Sequence, residues 1–270
     1  MALISCPECG AQISDKARMC PKCGCPAELF QKPQLLKCEE CGNEIPINAS
    51  ECPNCGCPVN IQNHQWVDLG LPSGTLWATC NIGANSPEEM GDKFAWGETT
   101  PKELYNIMNY RYCKRDERCL TKYCTRKRYG YDRFADDLTR LHKIDDAATK
   151  NWGDDWRMPT SDEFDELAEN CKSVWSKING VEGYKMIGDN GNSIFLPSSD
   201  SYFYLGPDDV DDDDYYDSTG MYWTSDLEQD DPDSAWAEFF NSDYPMDVDD
   251  LIDYPRCMGL PVRPVRTNKK

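Results

Sequence analysis

Asp154-Asp155-Trp156-Arg157-Met158-Pro159-Thr160-Ser161-Asp162-Glu163-Phe164 stands near the middle of the long C-terminal block of the chain, residues 61–270. Pro159 restricts Met158 to extended backbone. Thr160 offers an N-cap hydroxyl, and Glu163 follows at the spacing that lets its carboxylate reach back to the cap. The stretch therefore predicts an extended arrival and a helix opening just after Thr160. Phe164, Leu167, Ala168, Cys171 and Trp175 recur at helical spacing, which predicts one apolar stripe turned toward a core.

Outward from this stretch the pattern is of short strands. Trp66 to Gly83 reads as two strands around a Pro72-Ser73-Gly74 turn. Ser86-Pro87-Glu88-Glu89 has an N-cap, an N1 proline and an acidic first turn, and predicts a short helix. Asp189-Asn190-Gly191 between Tyr184–Gly188 and Asn192–Pro197 is a hairpin signal. Met221–Ser225 and Ala235–Phe240 read as further strands, and Gly259–Arg266 as the closing one.

Trp156-Arg157-Met158-Pro159-Thr160 with Glu163-Phe164 and Leu167, Trp66–Gly83, Gly91–Glu98 and Asp145–Ala148 with Trp152-Gly153 together resemble the Fibrobacter succinogenes major paralogous domain family, over about 65–266. That family is related to the formylglycine-generating-enzyme and C-type-lectin-like folds. The resemblance implies an α+β, C-type-lectin-like (formylglycine-generating-enzyme-like) domain whose closing strand pairs with the first. It also implies a ligand face in the loops between Tyr202 and Asp253. Some relatives are variable proteins whose C-terminal stretch is rewritten by retroelements, and the Asp and Tyr residues around Trp223, Trp236 and Phe239 are compatible with that. Tyrosine among small polar residues suits adaptable recognition. The expected contact residues are Tyr215, Tyr216, Tyr222, Trp223, Trp236 and Tyr244.

Residues 1–60 are an internal repeat. Cys6, Cys9, Cys20 and Cys23 recur 32 residues later as Cys38, Cys41, Cys52 and Cys55, with Gly10/Gly42, Ile13/Ile45 and Cys25/Cys57 in step. Units this short bury little core, and four thiolates around Zn²⁺ supply the missing folding energy. The pattern resembles short bacterial zinc ribbons and predicts two structural Zn²⁺ ions, one per unit. Cys25 and Cys57 are surplus to four-ligand sites and are expected as small buried thiols. The predicted organisation is ribbon one over 1–28, ribbon two over 29–60 and the C-type-lectin-like domain over 61–270. That domain carries a basic insertion at about 102–145 and acidic loops at about 200–253.

The chain has 28 Lys+Arg against 48 Asp+Glu, a formal charge of −20. Asp200–Asp253 contains 19 of those acids and no Lys or Arg. This balance disfavours nucleic acid and predicts a protein or other macromolecular partner, cationic in character. The insertion concentrates arginine, lysine and tyrosine. It is read as a surface insertion that pairs with the acidic segment, RNA binding being the weaker alternative. No apolar run is long enough to span a membrane. Leu3-Ile4-Ser5-Cys6 mimics a lipoprotein box without a basic or apolar leader. Sixteen cysteines without an export signal then predict reduced thiols and a cytoplasmic location.

Catalytic material is sparse. His64 falls in a connector and His142 in the insertion. Where formylglycine-generating enzymes use two cysteines, only Cys257 is present. Cys80, Cys171 and Cys257 read as buried small apolar groups. The expectation is a non-catalytic ligand- or protein-binding module; the alternative is an enzyme of the formylglycine-generating superfamily. Ca²⁺ is a weaker candidate cofactor: Asp209–Asp213 lacks the glycine and distal Glu of an EF-hand loop, and Gln229–Asp233 only faintly resembles the Pro-flanked acid/amide pair of sugar-binding C-type lectins.

Overall fold

The structure is a computed structural model, which describes residues 3–5, 12–14, 22, 35–37, 41, 43–46, 52–56, 64–114, 119–198, 218–243, 246 and 251–267. The chain forms two compact units, Met1–Asn63 and His64–Lys270. In the first, β1 (Leu3–Ser5) pairs antiparallel with β2 (Gln12–Ser14), and β3 (Leu35–Lys37) with β4 (Glu44–Pro46). Ile4 opposes Ile13 and Leu36 opposes Ile45, so the 32-residue repeat of the sequence is also a repeat of backbone pairing.

Among its described residues the second unit is mostly β-structure with two short α-helices. The strands are β5 (Trp66–Asp68), β6 (Thr75–Ala78), β7 (Lys93–Phe94), β8 (Cys171–Ile178), β9 (Val181–Gly188), β10 (Ser193–Pro197), β11 (Thr219–Leu227), β12 (Ser234–Asn241), β13 (Leu251–Pro255), β14 (Leu260–Pro261) and β15 (Val265–Thr267). The helices are α1 (Ala147–Trp152) and α2 (Ser161–Asn170). Antiparallel sheets run β15-β6-β5, β10-β9-β8 and β11-β12-β13, with β14 paired to β7. The closing strand thus lies beside β6, the second strand of the opening hairpin, with Val265 opposite Trp77. Asp189-Asn190-Gly191 does turn β9 into β10, with Gly191 supplying the left-handed residue at φ +82°.

The central stretch behaves as its local chemistry dictates. Extended Arg157 exchanges both backbone hydrogen bonds with Val265, at 3.0 and 2.9 Å. The Thr160 hydroxyl accepts from the Glu163 N–H at 3.2 Å, and the Glu163 carboxylate accepts from the Thr160 N–H at 3.0 Å. Phe164 and Leu167 are fully buried among Trp77, Tyr184, Tyr222 and Phe240. The predicted helical stripe, however, stops at Asn170. Cys171 and Trp175 belong to β8 and are half-buried. Ser86–Glu89 forms a single turn, not a helix. Its cap signals are followed only by Met90 and Gly91, so no apolar stripe holds a helix in place.

The predicted surface insertion keeps its cations exposed but also contributes to the core. Tyr110, Tyr112, Cys113, Leu120, Tyr123 and Cys124 are buried against Trp96 and Trp156. Asp145 collects the hydroxyls of Tyr112 and Tyr123 and the ammonium of Lys122. Burial alone would raise its carboxyl, but these donors hold it below the usual range. Two buried arginines tie distant segments together through neutral acceptors among the described residues. Arg256 donates to Tyr110 Oη and to the carbonyls of Lys122, Tyr123 and Pro232, at 2.7–2.9 Å. Arg263 donates to Asn81 Oδ1 and to the carbonyls of Ala78, Thr79 and Phe195, at 2.7–3.1 Å.

Candidate metal centre and ligand face

Cys52-Pro53-Asn54-Cys55-Gly56 forms a tight knuckle. The Gly56 N–H closes it on the Cys52 carbonyl at 2.8 Å, with Gly56 at φ +68°. The backbone N–H groups of Cys55 and then Asn54 point at the Cys52 sulfur and lower its thiol pKa. Cys41 Sγ lies 3.6 Å from Cys52 Sγ, and the sulfurs of Cys41, Cys52 and Cys55 are all within 4.8 Å of one another. Thiolates gathered this closely repel unless a cation sits between them, and a knuckle that donates N–H bonds to sulfur suits Zn²⁺. This donor set fits zinc. Cys38, expected as the fourth ligand, and Cys6, Cys9, Cys20, Cys23, Cys25 and Cys57 lie outside the described residues.

In the second unit three recesses adjoin one another through shared or neighbouring residues. The first, of about 450 Å³, is bordered by Arg140, Lys143, Asp146, Trp156, Arg157, Thr160 and Ser225 among others. The third, of about 400 Å³, shares Arg140 and adds Ser161, Asp226, Gln229 and Trp236. The second, of about 510 Å³, begins at the adjoining Asp230 and is lined by Thr125, Arg126, Lys127 and Arg128. Its residues show why these segments meet. Arg140 pairs with Asp226 at 2.5 Å, and the other Asp226 oxygen accepts from the Ser161 N–H at 2.8 Å. Arg157 grips Glu163 through two bonds of 2.6 Å. Burial would raise the Glu163 carboxyl, but Arg157 outweighs it and holds the group low. Asp146 caps α1 and accepts from the Met158 N–H at 2.9 Å; burial outweighs these donors and raises its pKa.

Two expected contact residues are corrected by this geometry. Tyr222 and Trp223 have no exposed surface. The Tyr222 hydroxyl donates to the Pro197 carbonyl at 2.8 Å, burial pushing its pKa to about 12, and the Trp223 indole donates to the Phe94 carbonyl at 2.7 Å. Both are framework, because β11 is covered on both faces. Trp236 is half-buried and lines a recess. Tyr215, Tyr216 and Tyr244 lie outside the described residues. Arg140, Asp226 and Arg157 carry the face but were not singled out as site residues; Arg140 and Asp226 are 86 positions apart, and no local pattern links them.

The remaining candidates fall as follows. Gln229–Asp233 spends its groups on the insertion: Thr125 Oγ1 donates to the Gln229 carbonyl at 2.5 Å, Arg126 pairs with Asp230, and Tyr129 bonds Asp231. The insertion therefore does pair with the acidic segment. Among the described residues the cysteine trio is the one convergent set of three metal-type ligands. His64 stacks on Trp152 at 3.6 Å, and burial lowers its pKa to about 4. Cys80, Cys171 and Cys257 are half-buried, short of the full burial expected. No helix among the described residues is long and apolar enough to cross a membrane.

Residues 6–56 match the family model described as Double zinc ribbon. No curated protein matches the chain. No solved structure matches it either. The chain therefore carries an N-terminal double zinc ribbon domain, followed by a mostly β unit with few helices.

Proposed function

We propose that the chain is a non-catalytic binding module, in which a C-type-lectin-like domain of the Fibrobacter paralogous type is carried on two structural zinc sites. The observation that carries this reading is the row of open recesses running from Trp156 past Arg140 and Trp236 to Arg126. Its charged walls are already engaged as Arg157–Glu163, Arg140–Asp226 and Arg126–Asp230 pairs. Such a surface is preset to recognise the shape and charge of a macromolecule, whereas an active site converges reactive groups in an enclosed pocket. The short β15–β6–β5 sheet that joins the unit's ends is in keeping with the proposed fold.

The ligand contacts assigned to this face are Trp236 and Arg140. The test uses the full chain as bait, with Trp236→Ala and Arg140→Ala beside it. The reading expects a captured partner whose affinity falls at least tenfold in either variant. A partner set bound equally by wild type and both variants would overturn it.

A further inference from the structure

The β10-β9-β8 sheet ends on β8, whose far side pairs with no other strand among the described residues. Asn179 and Gly180, both left-handed at φ +49° and +92°, turn β8 into β9, so Ile178 and Val181 close the turn as a hydrogen-bonded pair. Bonded and non-bonded pairs alternate along an antiparallel ladder. Lys172, Val174 and Ser176 therefore spend their backbone groups on β9, while Ser173, Trp175 and Lys177 turn theirs outward. Cys171 obeys the same alternation, its N–H donating outward to the Leu167 carbonyl that ends α2. Past that point, among the described residues, no hydrogen bond reaches the outward N–H and C=O groups of Ser173, Trp175 and Lys177.

The pleat sorts the side chains beside this edge. On the core face Trp175 packs on Tyr184 and Phe240, and Lys177 pairs with Glu182 at 3.2 Å. Lys172 and Lys185 lie on the opposite face with Val174, Ile178 and Ile187, and no acid of β8, β9 or β10 shares that face. Both lysines are exposed, and neither forms an ion pair among the described residues. Glu88, the acid at the turn end, is held by Asn179 at 2.6 Å. Lysines on an edge strand deter other cationic edges, a second copy of β8 included. The same charges favour an acidic strand, because opposite charges across a strand pair are stabilising.

We infer that β8 receives an extended acidic segment of a partner protein as a fourth strand of this sheet. Backbone bonds to Ser173, Trp175 and Lys177 supply the affinity, and alternating side chains supply the selection. Acids fall on the face of Lys172 and Lys185, and small apolar groups fall beside Trp175. This inference is independent of the recesses proposed as the ligand face, whose residues lie on other elements.

The probe is a labelled synthetic peptide alternating Glu and Val, read by fluorescence anisotropy with the zinc-loaded full chain. Saturable binding is expected, at least tenfold weaker for a Lys-Val peptide. N-methylation of the valines, whose N–H groups would face β8, should weaken it as much. Ser173→Pro removes an outward N–H at an edge position where proline is tolerated, and should cut affinity at least tenfold with the urea midpoint unchanged. K172E/K185E changes two exposed side chains and should reverse the preference to the Lys-Val peptide. Absent binding of the Glu-Val peptide, or equal binding of the Lys-Val peptide, overturns the inference. So does affinity that survives Ser173→Pro, or a preference that K172E/K185E leaves unchanged. Binding at least tenfold tighter in D211N/D212N/D213N/D214N would overturn it by assigning the edge to the chain's own acidic tract. A wild-type dimer in sedimentation that Ser173→Pro dissociates would overturn it in favour of a second copy.

Discussion

Replacing Arg263 by methionine keeps most of the side chain's volume and removes every donor. Four acceptors then lose their partner: Asn81 Oδ1 and the carbonyls of Ala78, Thr79 and Phe195. A buried acceptor left unmade costs about 1–3 kcal/mol, so the simple sum is roughly 4–12 kcal/mol. One effect reduces it: the charge no longer has to be desolvated. With that gain set against the four unmet acceptors, the expected destabilisation is at the lower end of the sum, about 4 kcal/mol. Arg263→Lys should fare little better, because an ammonium has three donors and no planar fork to span four acceptors on two segments. All eight tryptophans lie in 64–270, so tryptophan fluorescence during urea unfolding reports this unit alone. A loss below about 1 kcal/mol in Arg263→Met, with an unchanged denaturant slope, would refute the reasoning, since buried carbonyls without donors cannot be that cheap.

Phe164→Ala should cost about 3–5 kcal/mol by the same assay, because its ring fills a fully buried site against Trp77. His64 is neutral and stacked when folded, with a pKa near 4 against about 6.5 unfolded; its contribution to stability is therefore complete above about pH 6.5 and lost as pH falls toward 4. His64→Phe should flatten the denaturation midpoint across that window. Glu163 is also held low, so its contribution is complete above about pH 4.3 and disappears as pH drops further, a dependence Glu163→Gln should remove. Two Zn²⁺ per chain are expected from metal analysis of protein purified with zinc, held by Cys6, Cys9, Cys20, Cys23 and Cys38, Cys41, Cys52, Cys55. Chelation should unfold 1–60 while leaving tryptophan fluorescence unchanged, and a fluorescence shift on chelation would contradict that independence.

What was legible in the sequence was local. The Thr160/Glu163 box, the Asn190-Gly191 turn and the cysteine knuckle each depend on residues within five positions, where spacing alone sets geometry. The end of α2 was not legible, for a reason in the periods themselves. Residues four apart share a face in a helix and in a strand alike, so Cys171 and Trp175 continue the stripe in either structure. The burial of the insertion's tyrosines was not legible, because it depends on Arg256 reaching back 133 to 146 positions, while its cations stay exposed as their type suggests. Tyr222 and Trp223 looked like contact residues by type. The unbroken apolar run Met221-Tyr222-Trp223 was the better signal, since a strand covered on both faces shows no alternation.

The β15–β6–β5 sheet places both ends of the second unit on one short patch of backbone. Trp66 pairs with Ala78 and Thr267 with Thr75. Two strand spacings and three residues of rise separate the ends by about 14 Å, a span that about five residues can bridge. A chain with such ends can be cut and rejoined elsewhere. Joining Thr267 to Trp66 and opening the Asn190–Gly191 turn would preserve every strand pairing described, so this unit should tolerate circular permutation and insertion into a loop of another protein.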